Sequence, residues 1–281
     1  MQIGLVLSGG GARCFAQVGA LRALEEQGAE VTAIAGNSAG AIIGAFYAAG
    51  HRAEAIAEIL CNADYGALLR VKGGAGLSGH ENIAAFLAEH LPETFDALKV
   101  PLAVPATDIQ SAEQVVFSAG PLVPAVCASN AFPGLFLPIE HAGRTLVDGG
   151  LLNNFPLDLI RPLTSARVVA LDTRPSPTAR LDLPAEDAGL WGRLKGSFDG
   201  RIPMIARVLE KAYTITQSRL IELLAAMHPP DLWIRPALSD DFDIQDFGRF
   251  EEAYELGYEA VSRAADELKR VTRAVTSAED A

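Results

Sequence analysis

A serine flanked at two positions on either side by glycine is the first arrangement in this chain that could do covalent chemistry: Gly36-Asn37-Ser38-Ala39-Gly40. Val31 to Ala35 before it reads as a short apolar strand, and small residues after it, to about Ala49, read as a helix. G-x-S-x-G between a strand and a helix is the pattern of a nucleophile elbow. The turn is sharp, so the residues two before and two after the serine must be tiny, and Gly36 and Gly40 are. Ser38 would then stand at the strand's end over a helix N-terminus, where free N–H groups and partial positive charge favour an alkoxide or oxyanion. The same five residues also make an ordinary flexible turn, so the catalytic reading depends on partners elsewhere in the chain.

The partners it needs are a base and oxyanion donors. Ser8-Gly9-Gly10-Gly11-Ala12-Arg13 closes the first apolar run, and consecutive glycines let backbone N–H groups converge on one small anion. Gly10 and Gly11 lead as donors, with Gly9 in the same loop and the Ala39 N–H as a further one. A dinucleotide-binding turn is the rival reading of this loop. Its sixth position is Cys14 instead of glycine, and the second strand ends in the Ser38 turn where an acid should meet the ribose, Glu30 lying at about the right sequence distance but at the wrong end of that strand. Arg13 could meet a substrate phosphate or carboxylate, or pair with Asp108 or Asp172 as structure. The second glycine-rich stretch is Val147-Asp148-Gly149-Gly150, in which an acid at a strand end can aim its carboxylate into a cleft or simply open an Asp-Gly turn. Histidine is the usual base, yet His51, His80, His90, His141 and His228 all lie outside such turns. His228, which follows both other residues, is the best of them for a Ser–Asp–His order.

The elements that must hold these residues follow from periodicity. Ile3 to Leu7 has strand length and suits a buried parallel strand. Phe15 to Gln27 is a helix with Gly28 as its stop, so residues 3 to 49 form a βαβα unit with right-handed crossovers. Helices are expected over His51 to Cys61, Glu81 to His90, Leu122 to Ser129, Met204 to Met227 and Phe250 to Val271. Strands are expected over Pro101 to Thr107, Gln114 to Ser118 and Arg167 to Asp172, with a hairpin from Ile139 to Val147 turning at Ala142-Gly143. Tyr65 to Gly79 and Arg174 to Gly200 read as loops able to cover a site. The whole is expected to be one three-layer α/β/α domain over 1–276 with a mostly parallel central sheet. Its chemical motifs fall in 3–175, a helical part follows in 200–276, and 277–281 are expected to fray.

Composition narrows the function classes. The chain is 281 residues long with 49% hydrophobic and 21% charged residues, ordinary for a globular protein. A formal charge of −12 argues against nucleic acid and leaves at most peripheral contact with a membrane through a local patch. Cys14, Cys61 and Cys127 are widely spaced and odd in number, which suits reduced thiols in the cytoplasm more than disulfides or a metal site. No secretory signal is read at the N-terminus. No metal and no cofactor is expected.

Taken together and in order, the Gly9 loop, the Ser38 turn and Asp148-Gly149-Gly150 resemble the patatin-like phospholipases, specifically their compact bacterial members. Pro105-Ala106-Thr107-Asp108, Ala128 to Gly134 and Leu151 to Pro156 look like the same family. The resemblance implies a serine acyl hydrolase with a Ser38–Asp148 dyad and no histidine. Ser38 is the nucleophile, Asp148 its base, and the first glycine loop the oxyanion hole. It implies lipid acyl ester substrates such as phospholipids, lysophospholipids or neutral lipids. Cys14 departs from the family's usual glycine and Asn37 from its usual threonine; neither removes a catalytic group. A non-catalytic lipid- or partner-binding protein using the same pocket is the alternative.

Overall fold

The computed structural model of the chain describes residues 1–70, 79–179 and 204–273. Eight strands form one sheet among them: β1 (Gln2–Leu7), β2 (Glu30–Gly36), β3 (Leu102–Asp108), β4 (Glu113–Phe117), β5 (Ile139–His141), β6 (Arg144–Asp148), β7 (Arg167–Leu171) and β8 (Leu232–Ile234). They lie in the order β5-β6-β3-β2-β1-β7-β8, with β4 paired to β3 off this path. The five strands from β3 to β8 run parallel, and β4, β5 and β6 add antiparallel pairs at the β3 side.

Helices cover both faces, which is why the central strands are apolar almost throughout. The side-chain alternation of a strand divides the core cleanly. Ile3, Leu5 and Leu7 of β1, with Val169 and Leu171 of β7, join a large core. That core is built with α1 (Phe15–Glu26), α2 (Ala39–Ala49), α3 (Ala53–Cys61), α4 (Tyr65–Leu68), α5 (Glu81–Ala88) and α6 (Leu122–Ser129). Val6, Val168 and Ala170 point the other way, onto a smaller core formed with Phe155, Leu157, Ile160 and Ile221. These come from the segment holding α7 (Gly150–Asn153) and α8 (Leu157–Ile160) and from α9 (Met204–Met227). The result is the expected three-layer α/β/α sandwich.

Two helices close the described chain, α10 (Phe250–Arg263) and α11 (Ala265–Arg273). The first packs on α1 at unusually close range. A Cβ on Gly19 would run into the Tyr254 carbonyl, and one on Gly257 into the Ala16 carbonyl. Only glycine permits that approach of two backbones.

Several sequence expectations need adjustment. The C-terminal helix expected over 250–271 is interrupted at Ala264, whose N–H is shared between the carbonyls of Ala260 and Val261. Ser262 just before it donates to the Tyr258 carbonyl, a back-bond that bends helices. The second helix starts at Ala53 instead of His51. Within the loop expected over 65–79, Tyr65–Leu68 is a helical turn capped by Asp64, whose side chain accepts the Ala67 N–H at 3.0 Å. Strand β8 was not expected, because Leu-Trp-Ile is too short to display a period. The remainder of the 65–79 loop from 71 to 78, the 180–200 part of the second loop and the 277–281 tail lie outside the described residues.

Candidate active site

The strand order brings three sequence-distant turns to one edge. Parallel β1 and β2 end together at Leu7 and Gly36, so the Ser8–Gly11 loop and the Ser38 turn are neighbours. Strand β2 pairs β3 as far as Ala35 and Ala103, and β6 pairs it further along, with Asp148 opposite Ala106. The end of β6 therefore reaches the end of β2. The hairpin that delivers it turns at Ala142-Gly143, both at positive φ (50° and 77°), as expected from sequence.

Ser38 takes φ 54° and ψ −130° immediately before α2, a conformation that costs a non-glycine residue stability and persists at functional turns. The glycines around it are there for space. A Cβ on Gly40 would lie 2.5 Å from the Ser8 carbonyl oxygen and 2.8 Å from that of Leu7; one on Gly36 would lie 2.6 Å from the Gly40 oxygen. The turn is held by two further side chains. Ser38 N–H donates to Ser129 Oγ at 3.0 Å, and Asn130 Nδ2 donates to the Ser38 carbonyl at 3.0 Å. Both come from the end of α6, in a stretch that the sequence linked only by resemblance.

Asp148 is 1% exposed. Its Oδ1 accepts the Gly150 N–H at 2.7 Å and Asn37 Nδ2 at 3.0 Å, whereas its buried Oδ2 has no hydrogen-bond partner among the described residues. Burial pushes its pKa up to about 6, against the opposing pull of the Ser38 hydroxyl, the Gly150 N–H and the Asn37 amide. A value of about 6 leaves the carboxylate mostly ionised at neutral pH.

Among the described residues, Gly10, Gly11, Ser38, Ala39 and Asp148 line one cavity of about 340 Å³. Apolar side chains including Phe15, Ile42, Leu68, Phe86, Phe132 and Phe247 form much of the rest of its wall. The N–H groups of Gly10, Gly11 and Ala39 carry no hydrogen bond within the described residues. Gly9, expected as a donor, differs: its N–H is taken by the Asn154 carbonyl at 3.0 Å, and a Cβ there would meet Asn154 Oδ1. Its place in the loop is one of packing. Gly149 and Gly150 are also spatial, the first close to the Pro105 carbonyl and the second beneath the Tyr213 hydroxyl.

Arg13 does not line the cavity among the described residues, and it forms no ion pair with Asp108 or Asp172. It is 3% exposed, and its guanidinium donates to the carbonyls of Thr173 (2.9 Å), Ser239 (3.1 Å) and Phe242 (2.7 Å). It ties the glycine loop to the C-terminal segment. Asp172 instead binds Arg174 through both oxygens, at 2.8 and 2.7 Å. Asp108 serves the β3–β4 turn by accepting Gln110 N–H and Ser111 Oγ. Cys14 lines the cavity beside Gly10, and burial pushes its thiol up to about 12, so it stays protonated.

No histidine lines the cavity among the described residues. His51 and His90 sit in an aromatic cluster with Phe46, His80 stacks on Phe136, and His141 packs on Phe117. His228 is exposed beyond the end of α9, so the Ser–Asp–His order finds no support. Sequence reasoning missed Tyr213, an aromatic on α9 whose hydroxyl reaches Gly150 and whose ring packs edge-on against Phe132. Nothing in the helical spacing of α9 marked it as facing the site. No group of histidine, cysteine and acidic residues suited to a metal occurs among the described residues.

A serine at positive φ in a strand-to-helix turn, beside a buried carboxylate at the end of a nearby strand, has the geometry of a nucleophile elbow on an α/β sheet. The profile of the patatin-like phospholipase family matches residues 5–160, and the chain belongs to that family. It is 33% identical over 192 residues to an uncharacterised NTE family protein of Mycobacterium tuberculosis, covering 66% of this chain and 52% of that one. Human patatin-like phospholipase domain-containing protein 6 is 28% identical over 278 residues, covering 92% of this chain and 20% of that protein. The chain thus spans about half the length of the mycobacterial relative and a fifth of the human one. Among solved structures, VipD from Legionella pneumophila superposes with a TM-score of 0.59 at 18% identity, covering 94% of this chain and 67% of that chain. That likeness is one of fold. No helix among the described residues is long and apolar enough to cross a membrane.

Proposed function

We propose that the protein is a serine hydrolase of fatty acyl esters, acting on phospholipids, lysophospholipids or related lipids through a Ser38–Asp148 dyad. The observation that carries this reading is the buried Oδ2 of Asp148, without a hydrogen-bond partner among the described residues, at the same turn cluster as a serine held at φ 54°. Ser38 Oγ attacks the ester carbonyl while Asp148 takes its proton. The oxyanion of the tetrahedral intermediate is received by the N–H groups of Gly10, Gly11 and Ala39, at the positive end of α2. Collapse breaks the ester C–O bond, and Asp148 returns the proton to the departing alcohol. Water then enters the acyl-enzyme, gives its proton to Asp148, and releases the fatty acid and Ser38. The apolar wall supports an acyl chain as the group bound, since it removes hydrocarbon from water. The test is hydrolysis of a short-chain p-nitrophenyl ester by the wild type beside Ser38→Ala, with labelling by a serine-directed phosphonate. Activity and label lost together with Ser38 are expected. Equal labelling of both proteins would remove Ser38 as the nucleophile, and an unlabelled, inactive wild type would favour a binding protein.

A further inference from the structure

Asn37 and Asp148 are 111 positions apart in the chain, yet the amide of one lies 3.0 Å from the carboxylate of the other. Resting on the dyad reading above, we propose that Asn37 is a positioning residue. Its amide holds Asp148 by Oδ1 and leaves Oδ2 as the oxygen that accepts the Ser38 proton.

Asn37 is 0% exposed, and both N–H donors and one oxygen lone pair of its amide are committed. Nδ2 has two N–H donors, and it meets two acceptors, Asp148 Oδ1 at 3.0 Å and Asn154 Oδ1 at 2.9 Å. Oδ1 accepts from Ser129 Oγ at 3.1 Å, and that same Oγ accepts the Ser38 N–H at 3.0 Å. The amide orientation follows from this set. Turned over, it would set its carbonyl oxygen against two other oxygens and its nitrogen against a hydroxyl already needed as an acceptor. One side chain therefore spans both members of the dyad, the serine through Ser129 and the acid directly.

The effect on Asp148 is asymmetric. With Gly150 N–H at 2.7 Å and Asn37 at 3.0 Å, Oδ1 has both its lone-pair directions filled, while Oδ2 has neither filled among the described residues. A carboxylate otherwise free to rotate about its Cβ–Cγ bond is thus presented with one defined oxygen. Hydrogen bonds to the charged form also favour that form, so Asn37 helps keep a buried acid ionised at neutral pH. The other titratable groups around it do not supply that effect. The Tyr213 phenol and the Cys14 thiol are both pushed up by burial and stay neutral. Arg174, on the cavity wall, is held by Asp172 through both carboxylate oxygens.

A purely structural role for Asn37 would lower activity without changing the pH at which the base works, so the readout is the pH profile. Hydrolysis of a short-chain p-nitrophenyl ester is followed at an isosbestic wavelength from pH 4.5 to 9. The proteins compared are the wild type, Asn37→Ala, Asn37→Thr, Ser129→Ala and Asp148→Asn. Asn37→Ala is expected to move the acidic limb of kcat/KM upward by about one to two pH units. Its kcat is expected to fall about tenfold to a hundredfold, because the carboxylate is no longer aimed. Asn37→Thr keeps a polar side chain with a single donor and is expected to move the limb in the same direction by less; it carries the test alone should Asn37→Ala not fold. Ser129→Ala breaks the same network without touching Asp148, and its limb is expected to stay where the wild type's is. An unmoved limb in both Asn37 variants, or an equal displacement in Ser129→Ala, overturns the assignment. Wild-type activity in Asp148→Asn would instead bring down the dyad reading itself, so the two failures are separable.

Discussion

Replacing Asp148 by asparagine should make the protein more stable while disabling it, and the size of the gain can be worked from the site. The carboxyl is fully buried, and its pKa is raised from 3.8 to about 6, with burial the first cause. The folded state therefore holds this proton more tightly than the unfolded chain does. Stability from this group is fully present below about pH 4 and is lost as the pH rises through about 6. At 1.36 kcal/mol per pH unit, ionisation of Asp148 costs the fold about 3 kcal/mol at pH 8. Asparagine has the same shape, keeps an oxygen for the Gly150 N–H and the Asn37 amide, and carries no charge to desolvate. The variant should match the wild type near pH 4 and exceed it by about 3 kcal/mol at pH 8. Urea unfolding of both proteins at one-unit steps between those limits measures the difference, provided the slopes with denaturant agree. In parallel, ester hydrolysis should fall by several orders of magnitude. A stability difference that stays flat across the pH range would refute the idea that a desolvated, ionised Asp148 sits in the folded site.

The remaining expectations concern the elbow, the pH profile and the helix crossing. The wild-type kcat/KM should rise through about pH 6 as Asp148 ionises and reach a plateau above it, with no second limb from a histidine; a pH-rate profile on a neutral ester shows this directly. Ser38→Gly should relieve the positive φ and raise stability by about 1 kcal/mol in thermal or urea unfolding, with hydrolysis abolished. Gly40→Ala should force the Ser8 carbonyl away from the elbow, costing about 1–3 kcal/mol together with most activity, whereas full activity in this variant would show that the turn has slack. Gly257→Leu should separate α10 from α1 at a cost of about 1–3 kcal/mol or more, seen as a lowered unfolding midpoint.

The legible part of the site is the part carried by short, contiguous runs. Ser38 between Gly36 and Gly40, the glycine loop after β1, and Asp148 before two glycines could be placed because each is a strand end followed by a turn that only small residues make. The βαβα order then set the first two side by side. What could not be read were choices of partner made across the fold. Gly9 and Gly10 look alike in sequence, yet Asn154 occupies the N–H of one, and the other has no partner among the described residues. Arg13 beside a catalytic loop suggests an anion, but three carbonyls from the distant residues 173, 239 and 242 surround it. Asn37 registered as a departure from a usual threonine, without any sign that its donor reaches a carboxylate 111 positions away. Hydrogen-bond partners of this kind depend on which backbone ends meet in space, and a periodicity carries no record of that.

The close crossing of α1 and α10 has a consequence for where this protein can be divided. The sequence motifs all fall before residue 175, which suggests a catalytic piece ending there. Yet the glycine loop leans on what comes later. The Ala12 N–H donates to the Ile244 carbonyl at 2.8 Å, Arg13 reaches Ser239 and Phe242, and α1 beyond the loop rests backbone to backbone on α10. A fragment cut near residue 175 would retain every residue proposed for the chemistry and lose the buttress behind its first glycine loop. Any fusion, truncation or exchange of modules built on this chain has to carry residues 236–263 along, or the glycine loop loses its backing.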